Sequence, residues 1–392
     1  MGIIFSSFNG LEPRLRFPSF DNKWTLTTIG NVCAFTNGKA HEQNVVEYGE
    51  YIIVNSKFIS SDGVVKKYSN KQICPLFKND IVMVMSDVPN GKAMSKCFCI
   101  DKDNKYTLNQ RICALRTKQI PLYYMMQINR NDYFMKFDDG VKQTNLRKDD
   151  VLACPVYSTT IKEQTKIADF LSLIDQRIEK QRRLVESLKK YKRGLFLKLY
   201  NDSDKSIISF KNIYEMASEG GTPSTSDSEN YENGKIPFIK IDDLNQHYLN
   251  FAKYFITEKG LKKSSAWIVP ENSIIYSNGA TIGACSINKI PVTTKQGILG
   301  IVPKSNFSVE FLYFFFTSSI FKQKIRAITT KGTMDCAYLK DINGIKISIP
   351  DFIAQQKIAK IMVDFENLIE RTELSFIYLQ NIKKALLQQM FI

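Results

Sequence analysis

Two stretches of the chain place apolar residues at alternating spacings of three and four. In residues 163–200, Leu171, Ile178, Val185, Lys192 and Leu199 fall at one heptad position, and Ile167, Ile174, Gln181, Leu188 and Leu195 at the other. The same register recurs 191 positions later with Met362, Ile369, Phe376, Lys383 and Met390, and with Ile358, Phe365, Thr372, Leu379 and Leu386. Such spacing over five heptads predicts long helices with a coiled-coil seam. At about 1.5 Å rise per residue, each would be roughly 60 Å long. Polar residues interrupt both seams at matching places, Gln181 and Thr372 near the middle and Lys192 and Lys383 near the end. Polar seam residues cost stability but fix register and partner. Thr160-Ile-Lys-Glu163 spells a capping box at the first start, and Asp351 follows Pro350 at the second. A bare seam of this length would expose much apolar surface, so the two helices are expected to pair.

The second helical stretch is a copy of the first. Gln164/Gln355, Lys166/Lys357, Ile167/Ile358, Ala168/Ala359, Ile178/Ile369, Glu179/Glu370, Leu188/Leu379, Lys192/Lys383 and Leu195/Leu386 are identical pairs. A period this long implies a duplicated domain-plus-helix unit rather than a solenoid. Ahead of each helix, short β-like runs alternate with turns, as in Tyr51–Val54, Asp80–Met85, Pro237–Ile241 and Asn272–Tyr276. Asp80–Ser86 with Gly91 lies against Ser273–Ser277 with Gly283, and Thr107–Gln110 against Thr293–Gln296. Gly140–Leu146 ahead of Pro155 likewise matches Gly332–Leu339 ahead of Pro350. The reading is therefore an α+β chain: two mixed α/β domains separated by two long helices in an antiparallel coiled coil, with pseudo-two-fold symmetry. Its segments are 1–157, 158–203, 204–350 and 351–392. Two similar units so related suit a partner that is itself roughly two-fold, such as a DNA duplex.

Composition sharpens this in one respect. The 392 residues carry a net charge of +15, which favours a polyanionic partner. Residues 158–200 hold 11 Lys and Arg against 5 Asp and Glu, whereas residues 351–392 hold 5 of each. The helices are symmetric in register but not in charge. Eight cysteines without a C-x-x-C pair, and only His41 and His247, argue for reduced core thiols over structural zinc, and for a cytoplasmic protein. No apolar run reaches the roughly 20 residues that span a bilayer. The opening Met1–Ser6 formally matches an N-myristoylation pattern, a short one that arises readily by chance.

Catalytic patterns are missing. The chain contains no phosphate-cradling P-loop, no G-x-G-x-x-G after a strand and no Pro-Pro dipeptide of an aminomethyltransferase loop. Asp149-Asp150 and Asp242-Asp243 read as solvated turn residues rather than a metal pair, and the two histidines as surface or satisfied side chains. Neither a catalytic nor a metal-binding residue is assigned. Small polar loops stand out instead. In the second domain they bring Gly221, Thr222, Ser224, Lys240, Asn278, Thr281, Gln296, Lys331 and Thr333. In the first they bring Asn37, Lys39, Asn55, Lys57, Asn90, Lys92, Lys142, Gln143, Thr144 and Asn145. Glycine loops let backbone N–H groups approach phosphate, Asn and Gln read adenine, and Lys reads guanine or holds phosphate. Asn-Gly is also an ordinary hairpin turn, so each residue singly has a structural alternative.

With these residues in hand the chain resembles the DNA-specificity subunits of type I restriction–modification systems. The likeness is carried by Pro13–Phe20, Gly220–Ser224, Gly234–Ile241, Asn278–Gly283, Gln296-Gly297 and both helices after Pro155 and Pro350, and it covers nearly the whole chain. The resemblance implies two target-recognition domains, each reading half of a bipartite, asymmetric site, with the helices setting the spacing. It implies no active site and no cofactor on this chain. The expected partners are double-stranded DNA, two modification subunits that bind S-adenosylmethionine and methylate adenine, and, where the system carries them, two ATP- and Mg-dependent restriction subunits. A self-contained DNA methyltransferase or nuclease, or a non-reading coiled-coil scaffold, are the alternatives. Two departures stand: residues 33–45 lack a GGTPS-like loop, and the basic residues Arg182, Arg183, Lys189, Lys190 and Arg193 sit on one helix only, facing either phosphate or an acidic protein surface.

Overall fold

The computed structural model describes residues 13–391 except 88–92, 120, 128–130, 138–143, 245, 280 and 331–334. The Met1–Ser6 pattern therefore lies outside the described residues. The chain divides into two compact units, one reaching Gln181 and resuming at Ser375, the other Arg182–Leu374. Each unit thus holds a mixed domain and half of each long helix.

The two long helices are Ile161–Asn201 and Phe352–Phe391. In the second unit Lys189 pairs with Glu373 and Lys192 with Glu366, so partners descend as positions rise and the helices run antiparallel. In the first unit Lys383 pairs with Asp175 at 2.6 Å. Asp175–Lys383 and Glu366–Lys192 are one interaction repeated by the duplication. Each seam lysine is thereby neutralised, which removes the cost of a bare ammonium and leaves a register-specific contact. Of the apolar seam positions, Ile167, Leu171, Val185, Ile358, Met362 and Ile369 are buried. Ile174, Ile178, Leu188, Leu195, Phe365, Phe376, Leu379 and Leu386 are half-buried, while Leu173, Leu184, Leu368 and Leu374, off the seam, are exposed. Gln181 is half-buried; Thr372 is buried and donates to the Leu368 carbonyl at 2.7 Å.

The helix starts differ from their spelling in one respect. Asp351 Oδ1 accepts from the Ala354 N–H at 2.7 Å, an ordinary cap. At the first start the Thr160 hydroxyl accepts from Glu163 N at 3.4 Å, but the Glu163 carboxylate turns to Arg16 at 2.7 and 2.9 Å. Burial alone pushes this carboxyl up; hydrogen bonds from Arg16 and Thr159 outweigh it and hold the group below its usual range. The capping box is half-used because its acid anchors the N-terminal segment.

Inside the units the strand order repeats. In the first, Cys33–Asn37, Ile112–Thr117, Ile81–Val84 and Cys97–Cys99 neighbour one another in that order, all antiparallel. In the second, Tyr214–Glu219, Ile298–Pro303, Ile274–Ser277 and Cys285–Asn288 do the same, extended by Tyr248–Leu249. A side sheet in each unit pairs Tyr51–Val54 with Tyr106–Leu108, or Ile236–Ile239 with Thr293–Thr294, in parallel. A final ribbon, Thr25–Thr28 with Pro155–Ser158 or Lys205–Ser209 with Lys346–Pro350, leads into the long helix.

The cores differ in chemistry. Met83, Met94, Met125, Met126, Cys113 and Cys154 fill the first, with Leu171, Leu387 and Met390 from the helices. Phe210, Phe311, Phe315, Phe316 and Phe321 fill the second, against Phe196, Ile358 and Met362. All eight cysteines are free thiols, buried or half-buried. Burial pushes Cys113 up to about 12 and Cys33 and Cys99 to about 11. Among the described residues no helix is long and apolar enough to cross a membrane.

Candidate nucleic-acid interface

Four backbone hydrogen bonds build the same loop edge in each unit. Gly38 N–H donates to Ile112 O (3.0 Å), as Gly220 N–H does to Ile298 O (2.9 Å). Asn109 N–H reaches Val54 O (3.1 Å), as Lys295 N–H reaches Ile239 O (3.0 Å). Met85 N–H donates to Arg111 O (3.0 Å) and Asn278 N–H to Gly297 O (3.1 Å). Leu146 N–H donates to Met85 O and Ala337 N–H to Asn278 O, both at 2.8 Å. Gly38 is thus the counterpart of Gly220, which resolves the missing glycine loop. A Cβ at Gly38 would lie 1.9 Å from the Asn109 carbonyl oxygen, and one at Gly220 2.0 Å from that of Thr294. Both edges need a glycine because a carbonyl of the facing strand end comes too close for a Cβ, although the two carbonyls are one residue apart in register; only the second has another glycine beside it.

In the second unit the edge gathers several candidates. Thr222 is exposed and its hydroxyl accepts from Gln296 N–H at 3.4 Å; Gln296 and the neighbouring Lys295 are exposed. Exposed Ser224 bonds Ser226 at 2.8 Å, and Asn230 donates to its carbonyl at 3.0 Å. Lys240 lies 3.5 Å over the Tyr254 ring. Thr281 is exposed, whereas Gly221 is buried against Ser265 and Ala266. Asn278 departs from the expectation of a surface contact. It is fully buried, its amide donates to the Ala337 carbonyl at 3.2 Å, and its counterpart is the core residue Met85. Lys331 and Thr333 lie outside the described residues.

In the first unit Asn37 and Lys39 are exposed at the end of the edge strand. Asn55 is half-buried and caps the helix Ser56–Ser60, accepting from Phe58 N–H at 2.9 Å, so its side-chain oxygen is already used. Lys57 is exposed beside it. Thr144–Asn145 pairs with Ser86–Asp87, and Asn145 is exposed. Asn90, Lys92, Lys142 and Gln143 lie outside the described residues. A polar cleft of about 350 Å³ opens here, lined by Glu42, Asn55, Ser56, Lys57, Asn109, Gln110 and Arg111. Gln110 donates to the Glu42 carboxylate, while Asn109 Oδ1 is enclosed and meets no donor among the described residues. Such an orphan costs about 1–3 kcal/mol.

Arg111 was not among the sequence candidates. It has φ +69°, where its counterpart Gly297 has φ +84°. A bulky side chain in this left-handed region costs on the order of 1–3 kcal/mol. The available signal was the alignment of Thr107–Gln110 with Thr293–Gln296, read one residue further.

The paired acids serve as caps: Asp150 accepts from Arg147 N–H at 2.7 Å and Asp243 from Lys240 N–H at 2.9 Å. His41 is buried between the Lys39 carbonyl (2.6 Å) and the Thr107 hydroxyl (2.8 Å). His247 is sandwiched between Tyr248 and Tyr313, with centroids at 4.0 and 3.9 Å, and its Nδ1 meets the Glu366 carboxylate. Burial pushes Glu366 up, but His247 and Lys192 together hold it below the usual carboxylate range. Of the basic residues on the first helix, Lys189 faces Glu373 and Arg182 bonds Glu186 at 2.6 Å, while Lys190 and Arg193 are exposed.

A duplicated strand framework with polar loop edges and antiparallel helices coincides with a known family: the model of the type I restriction modification DNA specificity domain matches twice, at residues 21–189 and 203–377. The chain belongs to this family. A type I restriction enzyme specificity subunit of Methanocaldococcus jannaschii is 33% identical over 192 residues, which is 48% of this chain and 44% of that protein. A specificity subunit of Escherichia coli is 29% identical over 153 residues, 38% of each chain. These matches span less than half the length of either relative. A putative type I specificity subunit of Mycoplasma pneumoniae is 22% identical over 97% of this chain and 99% of its own. The crystal structure of a type I restriction–modification S subunit from M. genitalium shares the fold, with TM-score 0.58 and 20% identity over 97% of this chain and 99% of that one.

Proposed function

We propose that this chain is the non-catalytic recognition subunit of a type I restriction–modification complex. Each domain reads one half of a bipartite, asymmetric DNA site through its loop edge. The paired helices set the unread spacer and dock two modification subunits, which supply S-adenosylmethionine and transfer a methyl group to adenine. Where the system carries them, two restriction subunits using ATP and Mg join the same assembly, in the cytoplasm. The observation that carries this reading is the repetition of one backbone edge with different side chains on either side of a shared glutamine: Asn109-Gln110-Arg111 in one domain, Lys295-Gln296-Gly297 in the other. A shared scaffold with divergent contact residues is what two readers of two different sequences require.

Exchanging residues 22–157 for the equivalent domain of another family member tests the reading. In the assembled complex, one half-site should change and the other persist, with adenine methylation mapped genome-wide as the readout. Simultaneous change of both halves would refute modular reading. Methyl transfer by the isolated chain would instead establish a self-contained enzyme.

A further inference from the structure

We propose that Arg111 reads a guanine in the half-site of the first domain, and that the second domain, with Gly297 at the same turn, makes no such contact. This rests on the specificity-subunit reading above. The two turns share their backbone bonds on both sides, so the position is the same in each. At Gly297 the left-handed backbone is free of strain; at Arg111 an exposed, bulky residue holds it at φ +69°. The next residue but one, Asn109, keeps an enclosed side-chain oxygen without a described donor. Two uncompensated costs within three residues, both lining one polar cleft, mark a segment kept for what it contacts rather than for stability.

The chemistry favours a base over a phosphate. Guanine presents O6 and N7 side by side in the major groove, matching the paired donors of a planar guanidinium. Phosphate needs only positive charge, and exposed Lys39 and Lys57 already supply it on the same edge without backbone strain.

The test uses the complex assembled with its modification subunits and duplex pools in which each half-site is randomised separately. Wild type should prefer guanine at one position of the first half. R111G should lose that preference about ten- to a hundredfold, leave the second half unchanged, and hold or raise the thermal midpoint because strain is relieved. R111K should retain overall affinity with a weaker preference, because a lysine can still reach guanine but lacks the planar fork. Uniform weakening across all sequences in R111G, with a salt dependence shallower by about one unit, would make Arg111 a phosphate contact and overturn the proposal. A first half without guanine, an unchanged preference in R111G, or a collapse of its midpoint would overturn it too. Absence of any sequence preference in wild type would bring down the specificity reading along with it.

Discussion

The first and second domains are built on one plan and filled with different materials. Strand order, the side sheet and the four loop-edge hydrogen bonds coincide. The interiors do not: methionines and thiols in one, a block of phenylalanines in the other, with Phe316 and Phe321 stacked at 4.6 Å. Unbranched methionine adapts to irregular gaps, whereas rings demand specific neighbours. The backbone bonds that place the loops therefore persist through an extensive change of core, although Ile167/Ile358 and Ala168/Ala359 stay the same, and side chains on those loops are free to diverge. Framework and loop side chains vary independently in this fold.

That separation can be tested at several scales. The largest effect is expected in the ring block: Phe316→Ala should destabilise the second unit by about 3–5 kcal/mol, whereas Met83→Leu in the first should cost less than about 1.5 kcal/mol. Urea unfolding of both variants measures the contrast. Next, Gly38→Ala and Gly220→Ala both drive a Cβ into a backbone carbonyl. Each should cost about 2–4 kcal/mol, and a clear inequality would show that the shared edge is not shared energetically.

The acid limb of stability comes third. Glu163 in one unit and Glu366 in the other are held below the usual range. On acidification the unfolded chain takes up their protons before the folded one does. The stabilisation is thus full above the ordinary glutamate value, about 4.3, and is lost as pH falls through the folded values. Glu163→Gln and Glu366→Gln should each flatten the fall of the unfolding midpoint between pH 7 and 3, and an unchanged slope would contradict the assignment. The smallest effect is expected at Gly194, inside the first long helix, where a Cβ meets nothing within 4 Å. Gly194→Ala should stabilise by about 0.5–1 kcal/mol, read as a small rise in melting temperature.

The duplicated plan was legible in the sequence because helical periodicity and identical repeat positions are properties of spacing, which survives changes of residue. The antiparallel pairing followed from the pseudo-two-fold arrangement expected of the duplicated units, and the partners of Lys192 and Lys383 only from the coordinates. At the loop edge, type misled where spacing was silent. Asn278 looked like a contact but belongs to the strand end beneath the loop, where its amide ties Ala337. Asn55 spends its oxygen on a helix cap. Gly38 could not be matched to Gly220 from composition, because the match lies in carbonyls on distant strands that accept from the two glycine N–H groups. Arg111 was missed for the opposite reason: arginine disfavours its conformation, so no propensity points there and only the repeat alignment could.

The thiols carry a practical consequence. With six sulfhydryls in the first unit and two in the second, buried or half-buried, and with burial pushing those of Cys33, Cys99 and Cys113 well above neutrality, alkylation in native buffer should be slow and should accelerate as a unit opens. The chain therefore contains its own clock for local unfolding, biased toward the first unit, and mass spectrometry after a timed pulse of iodoacetamide would show which unit loosens first.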